Sequence, residues 1–258
     1  MEFSVHTFTL FHYLVFFITG IFAGFIDSIA GGGGIITVPV LLSFGIPPHM
    51  ALGTNKLQSS FGSFTASLNY SRKGLISFSA IKTAILFTAI GSFAGAITIQ
   101  FLSAEFLNII IPVFLCIIFV YTIFSPKLGE KTSKPIISKN IFYIAAGLIM
   151  GFYDGFFGPG TGSFWVIAIV LLIGLDLKKA TAFTKFTNFT SNFTALVFFI
   201  IGGKVLFLVG ICMGAGQIIG AFAGSRLVIL KNTGFVRIFF IIIVGITLVK
   251  LVYTSFII

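Results

Sequence analysis

Acidic side chains are nearly missing from this sequence: six Asp and Glu stand among 258 residues, and charged residues of both signs make up 9%. A soluble domain carries about a quarter charged residues, so water is not the main solvent of this chain. Cysteine is scarce too, and Cys116 and Cys212 both lie inside apolar runs, as small buried side chains do, rather than in a disulfide or metal pattern. The histidines His6, His12 and His49 all fall early in the chain. No His-Glu-x-x-His pair occurs and no Ser or Cys has an evident base partner, so hydrolase chemistry, a metal and a cofactor are not expected. Residues 1–10 contain no Lys or Arg and no small-residue cleavage site, which argues against a removable signal peptide.

What is abundant is apolar: 57% hydrophobic residues, with a mean hydropathy of +1.15. Uncharged stretches near the roughly 20 residues that cross a bilayer recur along the chain. Runs such as residues 109–124 and 239–248 are apolar at nearly every position, without the alternation of a membrane barrel. Helices are the remaining way to satisfy the backbone in lipid. The expectation is an all-α polytopic integral membrane protein with about eight to ten transmembrane or half-membrane helices.

The net charge of +10 sits between the apolar runs, at Arg72 and Lys73, at Lys127, Lys131, Lys134 and Lys139, at Lys178 and Lys179, and at Arg226, Lys231 and Arg237. That is the pattern of cytoplasmic loops, and it excludes nucleic acid as the partner of the basic charge.

The chain repeats itself. An offset of 127 pairs Gly24, Phe25, Asp27, Gly31 and Gly33 with Gly151, Phe152, Asp154, Gly158 and Gly160. An offset of 129 then pairs Lys56 with Lys185, Gly74 with Gly203, and Gly91-Ser-Phe-Ala-Gly95 with Gly220-Ala-Phe-Ala-Gly224. Two homologous halves follow, residues 1–126 and 139–258, joined by a cytoplasmic linker at 127–138. Each half reads as five apolar segments: 10–30, 35–44, 57–70, 76–99 and 106–124, then 141–157, 163–175, 186–201, 205–229 and 235–256. The second and third of each set are short, and are either tilted spans or half-helices meeting inside the protein. Equivalent loops differ in basic content: Arg72 and Lys73 precede segment four in the first half, whereas Lys204 alone does so in the second. With the linker inside, the halves have opposite orientation, as an inverted repeat, and both termini lie outside. A parallel arrangement of four plus four spans is the alternative.

Asp27 and Asp154 are intramembrane acids in matching places, and such a residue costs about 2.5 to 3.5 kcal/mol on insertion scales. Their candidate role is proton coupling; the plainer role is to cap a broken helix or to pair with Lys56 or Lys185. Gly31, Gly32, Gly33 and Gly34, and Gly158-Pro159-Gly160-Thr161, cannot continue a stable helix. A helix that restarts after such a break presents free amides and a positive dipole end to an anion, with Thr37 and Thr161 as added hydroxyl donors. Lys56 and Lys185 are the cationic candidates, either for an anionic substrate or for the two acids. Asn55 and Asn188 stand beside them in an unusually polar third segment, Asn188 one turn after Lys185. The glycine pairs 91/95 and 220/224 permit close helix packing.

Gly24-Phe-Ile-Asp27 with its glycine run, Gly53-Thr-Asn-Lys56, and the degenerate copies Gly151-Phe-Tyr-Asp154 and Thr184-Lys185 resemble the sulfite exporter TauE/SafE family of bacterial membrane permeases. The resemblance covers nearly the whole chain. It implies transport of a small sulfur-containing anion, sulfite or an organosulfonate, across the cytoplasmic (inner) membrane, with Asp27, Gly31 to Gly34, Asn55 and Lys56 as motif positions. The second copy departs from the motif at Thr184 and in replacing the glycine run by Gly158-Pro-Gly. The reading is therefore a secondary transporter for a small anion, possible rivals being a passive channel and an intramembrane aspartyl protease using Asp27 and Asp154.

Overall fold

A computed structural model of the protein describes residues 8–124, 132 and 134–230. Within them every regular element is helical. Helices α1 (Leu10–Ala30), α2 (Gly33–Ser43), α3 (Pro48–Arg72), α4 (Phe78–Gln100) and α5 (Ala104–Phe124) precede the linker. After it come α6 (Lys139–Phe156), α7 (Thr161–Ala168), which runs on as a π-helical turn over Ile169–Ile173, α8 (Leu177–Ile201) and α9 (Phe207–Leu230). The order long, short, long, long thus recurs from α1–α4 to α6–α9. The expected segment at 235–256, together with Lys127, Lys131, Lys231 and Arg237, lies outside the described residues.

Among the described residues, three helices are long and apolar enough to cross a membrane: α1 over Leu10–Ile29, α4 and α9. The distribution of side chains is inverted relative to a soluble protein. On α3 the outer face exposes Phe61, Phe64 and Leu68, while Asn55, Lys56, Gln58 and Ser63 are buried. On α8, Phe193, Val197 and Ile201 face outward while Thr184, Lys185, Asn188 and Ser191 are buried. Hydrocarbon outside and polar groups inside is the arrangement that a lipid solvent imposes. This is an all-α membrane protein.

The third segment of each half corrects the sequence expectation. Helix α3 starts at Pro48, whose missing amide costs nothing at a first helical position, and runs for 25 residues, about 37 Å at 1.5 Å per residue. Gly53-Thr54-Asn55-Lys56 is therefore the second turn of a full-length helix and not a polar turn before a short one. Helix α8 likewise starts at Leu177, capped by Asp176, whose carboxylate accepts the Lys179 amide at 2.9 Å. Hydropathy mistook buried polar faces for loops. The second segments stay short: α2 has 11 residues, about 16 Å, roughly half a hydrocarbon core.

The halves pack on each other chiefly through α1 with α9 and α4 with α6, and also through α3 with α8 and α9 and α4 with α8. In the first two pairs the backbones touch through glycine. A Cβ on Gly24 of α1 would stand 2.5 Å from the Gln217 carbonyl oxygen of α9, and one on Gly151 of α6 would stand 2.5 Å from that of Thr88 on α4. Gly91 and Gly95 lie against the Leu148 and Phe152 carbonyls, and Gly220 and Gly224 against those of Ile21 and Phe25. The spaced glycines serve helix packing, as expected. Both described cysteines are free, and the Cys212 thiol donates to the Tyr13 carbonyl at 3.2 Å.

Candidate functional site

Two helix breaks meet at the centre of the described fold. Gly31, between α1 and α2, has φ +70°, a left-handed value that disfavours any side chain. It also has no space for one: an added Cβ would stand 2.5 Å from the Gly162 backbone in the first turn of α7. Gly160, at φ +84°, starts α7. The Ser163 hydroxyl donates to the Gly31 carbonyl at 2.8 Å, and Gly34 lies against Pro159. Each broken helix is thus seated on the other.

Around this seat four charges, three of them buried and Asp27 half-buried, pair crosswise. Lys56 Nζ on α3 donates to Asp154 Oδ1 at the end of α6 at 2.8 Å, and also to the Asp154 carbonyl. Lys185 Nζ on α8 donates to Asp27 Oδ2 near the end of α1 at 3.0 Å. Neither lysine has more than 1% exposure. A lone charge here would carry a desolvation cost of several kcal/mol, which pairing and hydrogen bonding offset. The remaining carboxylate oxygens are also occupied, but differently. Asp27 Oδ1 accepts the amides of Gly32 and Gly33 at 3.0 and 3.2 Å, the first free amides of α2. Asp154 Oδ2 accepts the Ser191 hydroxyl of α8.

A hydrogen-bonded chain extends from the first break across three helices. The Thr37 hydroxyl donates to Asn55 Oδ1 at 2.6 Å, Gln58 Nε2 donates to the same oxygen at 2.7 Å, and Gln217 Nε2 of α9 donates to Gln58 Oε1. Between the two ion pairs is a polar cavity of about 20 Å³, little more than one water requires. Both aspartates, Asn55, Ser59, Thr161, Asn188 and Asn192 supply its polar side chains. Asn188 Oδ1 is buried there without a hydrogen-bond partner.

Of the residues singled out from sequence, Asp27, Gly32, Gly34, Asn55, Asp154, Gly158, Gly160, Thr161 and Asn188 line this cavity. Lys56 and Lys185 stand behind the acids, bonded to them. Thr37 is one hydrogen bond away through Asn55, while Gly31 and Gly33 pack against Gly162 and the Asp27 Cβ. Ser59, Ser191 and Asn192 belong to the polar third segments that read from sequence as a cavity lining or interhelix glue, and Gly162 to the second glycine break; Ser59, Asn192 and Gly162 line the cavity, and Ser191 is bonded to Asp154. Ser59 carried a usable signal, since the 129-residue offset maps it onto Asn188. The Gln58–Gln217 bridge carried none, because its partners lie 159 positions apart.

The family model for sulfite exporter TauE/SafE proteins matches residues 16–251. The chain is 44% identical over 241 residues to the probable membrane transporter protein YfcA of Escherichia coli (strain K12), covering 93% of this chain and 90% of that protein. A probable membrane transporter protein of Haemophilus influenzae is 41% identical over 239 residues, 93% of this chain and 94% of its own. The more distant YdhB of Bacillus subtilis, also named a probable membrane transporter protein, is 27% identical over 216 residues, 83% of this chain and 87% of its own.

Proposed function

The chain belongs to the sulfite exporter TauE/SafE family and is a bacterial membrane transporter, and we propose that it is a secondary carrier for a small anion, sulfite or an organosulfonate, across the cytoplasmic membrane. The observation that carries this reading is the crossed pairing of Lys56 with Asp154 and Lys185 with Asp27 at two facing helix breaks. Broken helices with their amide ends turned to a shared polar space are how repeat-built transporters hold ions. In this reading residues 1–126 and 139–258 are inverted halves, with the linker 127–138 cytoplasmic. The anion sits between the restarts of α2 and α7, held by the amides near Gly32 to Gly34, by Gly160 and Thr161, and by Asn55, Asn188 and the two lysines. Asp27 and Asp154 take up and release the coupling proton.

The cavity holds little more than a water, so an anion enters only when the halves part around it, which favours a carrier over an open pore. Each aspartate is also committed to a lysine, whereas a protease dyad needs two carboxylates sharing a proton. The test is flux of labelled sulfite, methanesulfonate and related sulfur anions into proteoliposomes, with and without an imposed proton gradient. Saturable, gradient-stimulated flux of one anion is expected. Linear, gradient-indifferent flux would make the protein a pore, and no flux of any sulfur anion would remove the substrate assignment.

A further inference from the structure

We infer that the Asp27 carboxylate is a tethered competitor for the transported anion: it fills the anion position, and protonation of Asp27 is what vacates that position for substrate. This rests on the carrier reading above and adds how the proton and the anion are linked.

The geometry around Asp27 is that of a complete anion site already filled. Oδ1 sits on two successive amides at the start of an 11-residue helix, and Oδ2 sits on a fully buried ammonium. Backbone amides, a helix dipole and a cation are the donors by which proteins bind phosphate and sulfonate groups. Asp154 is not held this way. Its carboxylate takes Ser191 and Lys56, while the Thr161 and Ser163 amides at the start of α7 go to the Gly158 and Gly160 carbonyls. Asp154 is also the more enclosed, its side chain 4% exposed against 17% for Asp27. The two acids are therefore not equivalent.

A second observation points to the vacated state. Asn188 is 5% exposed, lines the cavity with Asp27, and leaves Oδ1 without a donor. A buried acceptor of this kind is costly unless something donates to it. A neutral Asp27 carboxyl supplies that donor through its own O–H.

Charge bookkeeping sets the order. As built, the two lysines and two aspartates balance to zero. An anion entering alone would leave a net negative charge in a space with room for little more than one water. An anion entering with one proton leaves the site neutral: the proton bonds to an Asp27 oxygen, the Gly32, Gly33 and Lys185 donors release it, and the same three donors take the anion. The titratable groups near Asp27 are Lys185 on α8, Lys56 and Tyr70 on α3 and Asp154 on α6. Lys56 is held by Asp154, and the Tyr70 hydroxyl is bonded to the Ser28 carbonyl. Helices α2 and α7 contain no titratable side chain, and on α9 Cys212 is bonded to Tyr13 and Arg226 is exposed. Asp27 is thus the acid through which one proton binds with one negative charge.

The test uses the purified full-length protein in detergent with methanesulfonate, which stays singly charged across the working pH range, and with sulfite. Wild-type affinity should fall about tenfold per unit rise in pH once Asp27 is ionised, with one proton taken up per anion bound. Asp27→Asn should bind methanesulfonate at least about tenfold more tightly at neutral pH, with no pH slope and no proton uptake. Asp27→Ala should melt below wild type and be restored by added formate or methanesulfonate, and Lys185→Met in that background should abolish the rescue. Equal affinity and equal pH slope in wild type and Asp27→Asn would overturn the competitor role and leave the carrier reading intact. Failure of every form to bind either anion would overturn both.

Discussion

Lys56 and Asp154 lie 98 positions apart in sequence, yet their charged ends meet at 2.8 Å with side-chain exposures of 1% and 4%. The pair joins α3 to α6, and it shares the cavity with its counterpart, Lys185 and Asp27. Buried pairs of this kind contribute less by attraction than their disruption costs, because either partner alone becomes an uncompensated charge. Lys56→Met and Asp154→Leu should each destabilise the protein by about 3–5 kcal/mol, and the double variant should lose less than either single one. Thermal melting of the three purified variants reads this. Additive losses would show that the two side chains act independently.

The contacts of Gly24 with Gln217 and of Gly151 with Thr88 leave no room for a methyl group. Gly24→Ala and Gly151→Ala should each cost about 1–3 kcal/mol through the separation of α1 from α9 or of α4 from α6. Chemical denaturation in mixed micelles would measure it, and wild-type stability in both would mean that the helices sit farther apart than described.

The Gln58–Gln217 bridge couples α3 to α9, with Gln217 Oε1 left unpartnered. Interhelical side-chain hydrogen bonds in membrane proteins average about 0.6 kcal/mol and reach about 1.7. A double-mutant cycle of Gln58→Leu and Gln217→Leu should return a coupling in the upper part of that range, since Gln58 also donates to Asn55. A coupling of zero would refute the bridge.

Opposite orientation of the halves predicts opposite exposure of equivalent loops. In a background of Cys116→Ala and Cys212→Ala, Ser71→Cys and Lys134→Cys should react with impermeant maleimide only from the cytoplasmic face. Ser103→Cys and Lys204→Cys should react only from the other. Labelling of Ser71→Cys and Lys204→Cys from the same face would replace the inverted arrangement by a parallel one.

Much of the candidate site was readable because membrane solvent makes chemistry conspicuous. An Asp inside an apolar run has few uses, and glycine next to it forces a break, so Asp27, Asp154 and the two glycine segments stood out without any fold. The structure found these residues where two broken helices face each other. The length of α3 and α8 was not readable. In a bilayer protein a polar stretch is either a loop in water or a face turned inward, and hydropathy gives both the same value. Gly53-Thr54-Asn55-Lys56 is the second kind, buried in the second turn of α3.

Composition and spacing alone determined the solvent, the helical class, the family resemblance and the set of charges that had to be balanced, since each follows from local hydrophobicity and covalent order. Tertiary structure decided the pairing. Two lysines and two aspartates admit more than one matching, and an ion pair depends on distance in space, with desolvation penalising every matching that leaves a charge alone. The packing of α3 against α8, and of α8 against α1 and α6, brought Lys185 to Asp27 and Lys56 to Asp154. The break after α1 folds the first amides of α2 back onto Asp27, five and six residues away, whereas the packing of α8 on α6 puts Ser191 on Asp154. That difference between two similar sequence motifs arises from which neighbour each acid meets, which no residue carries in its own identity.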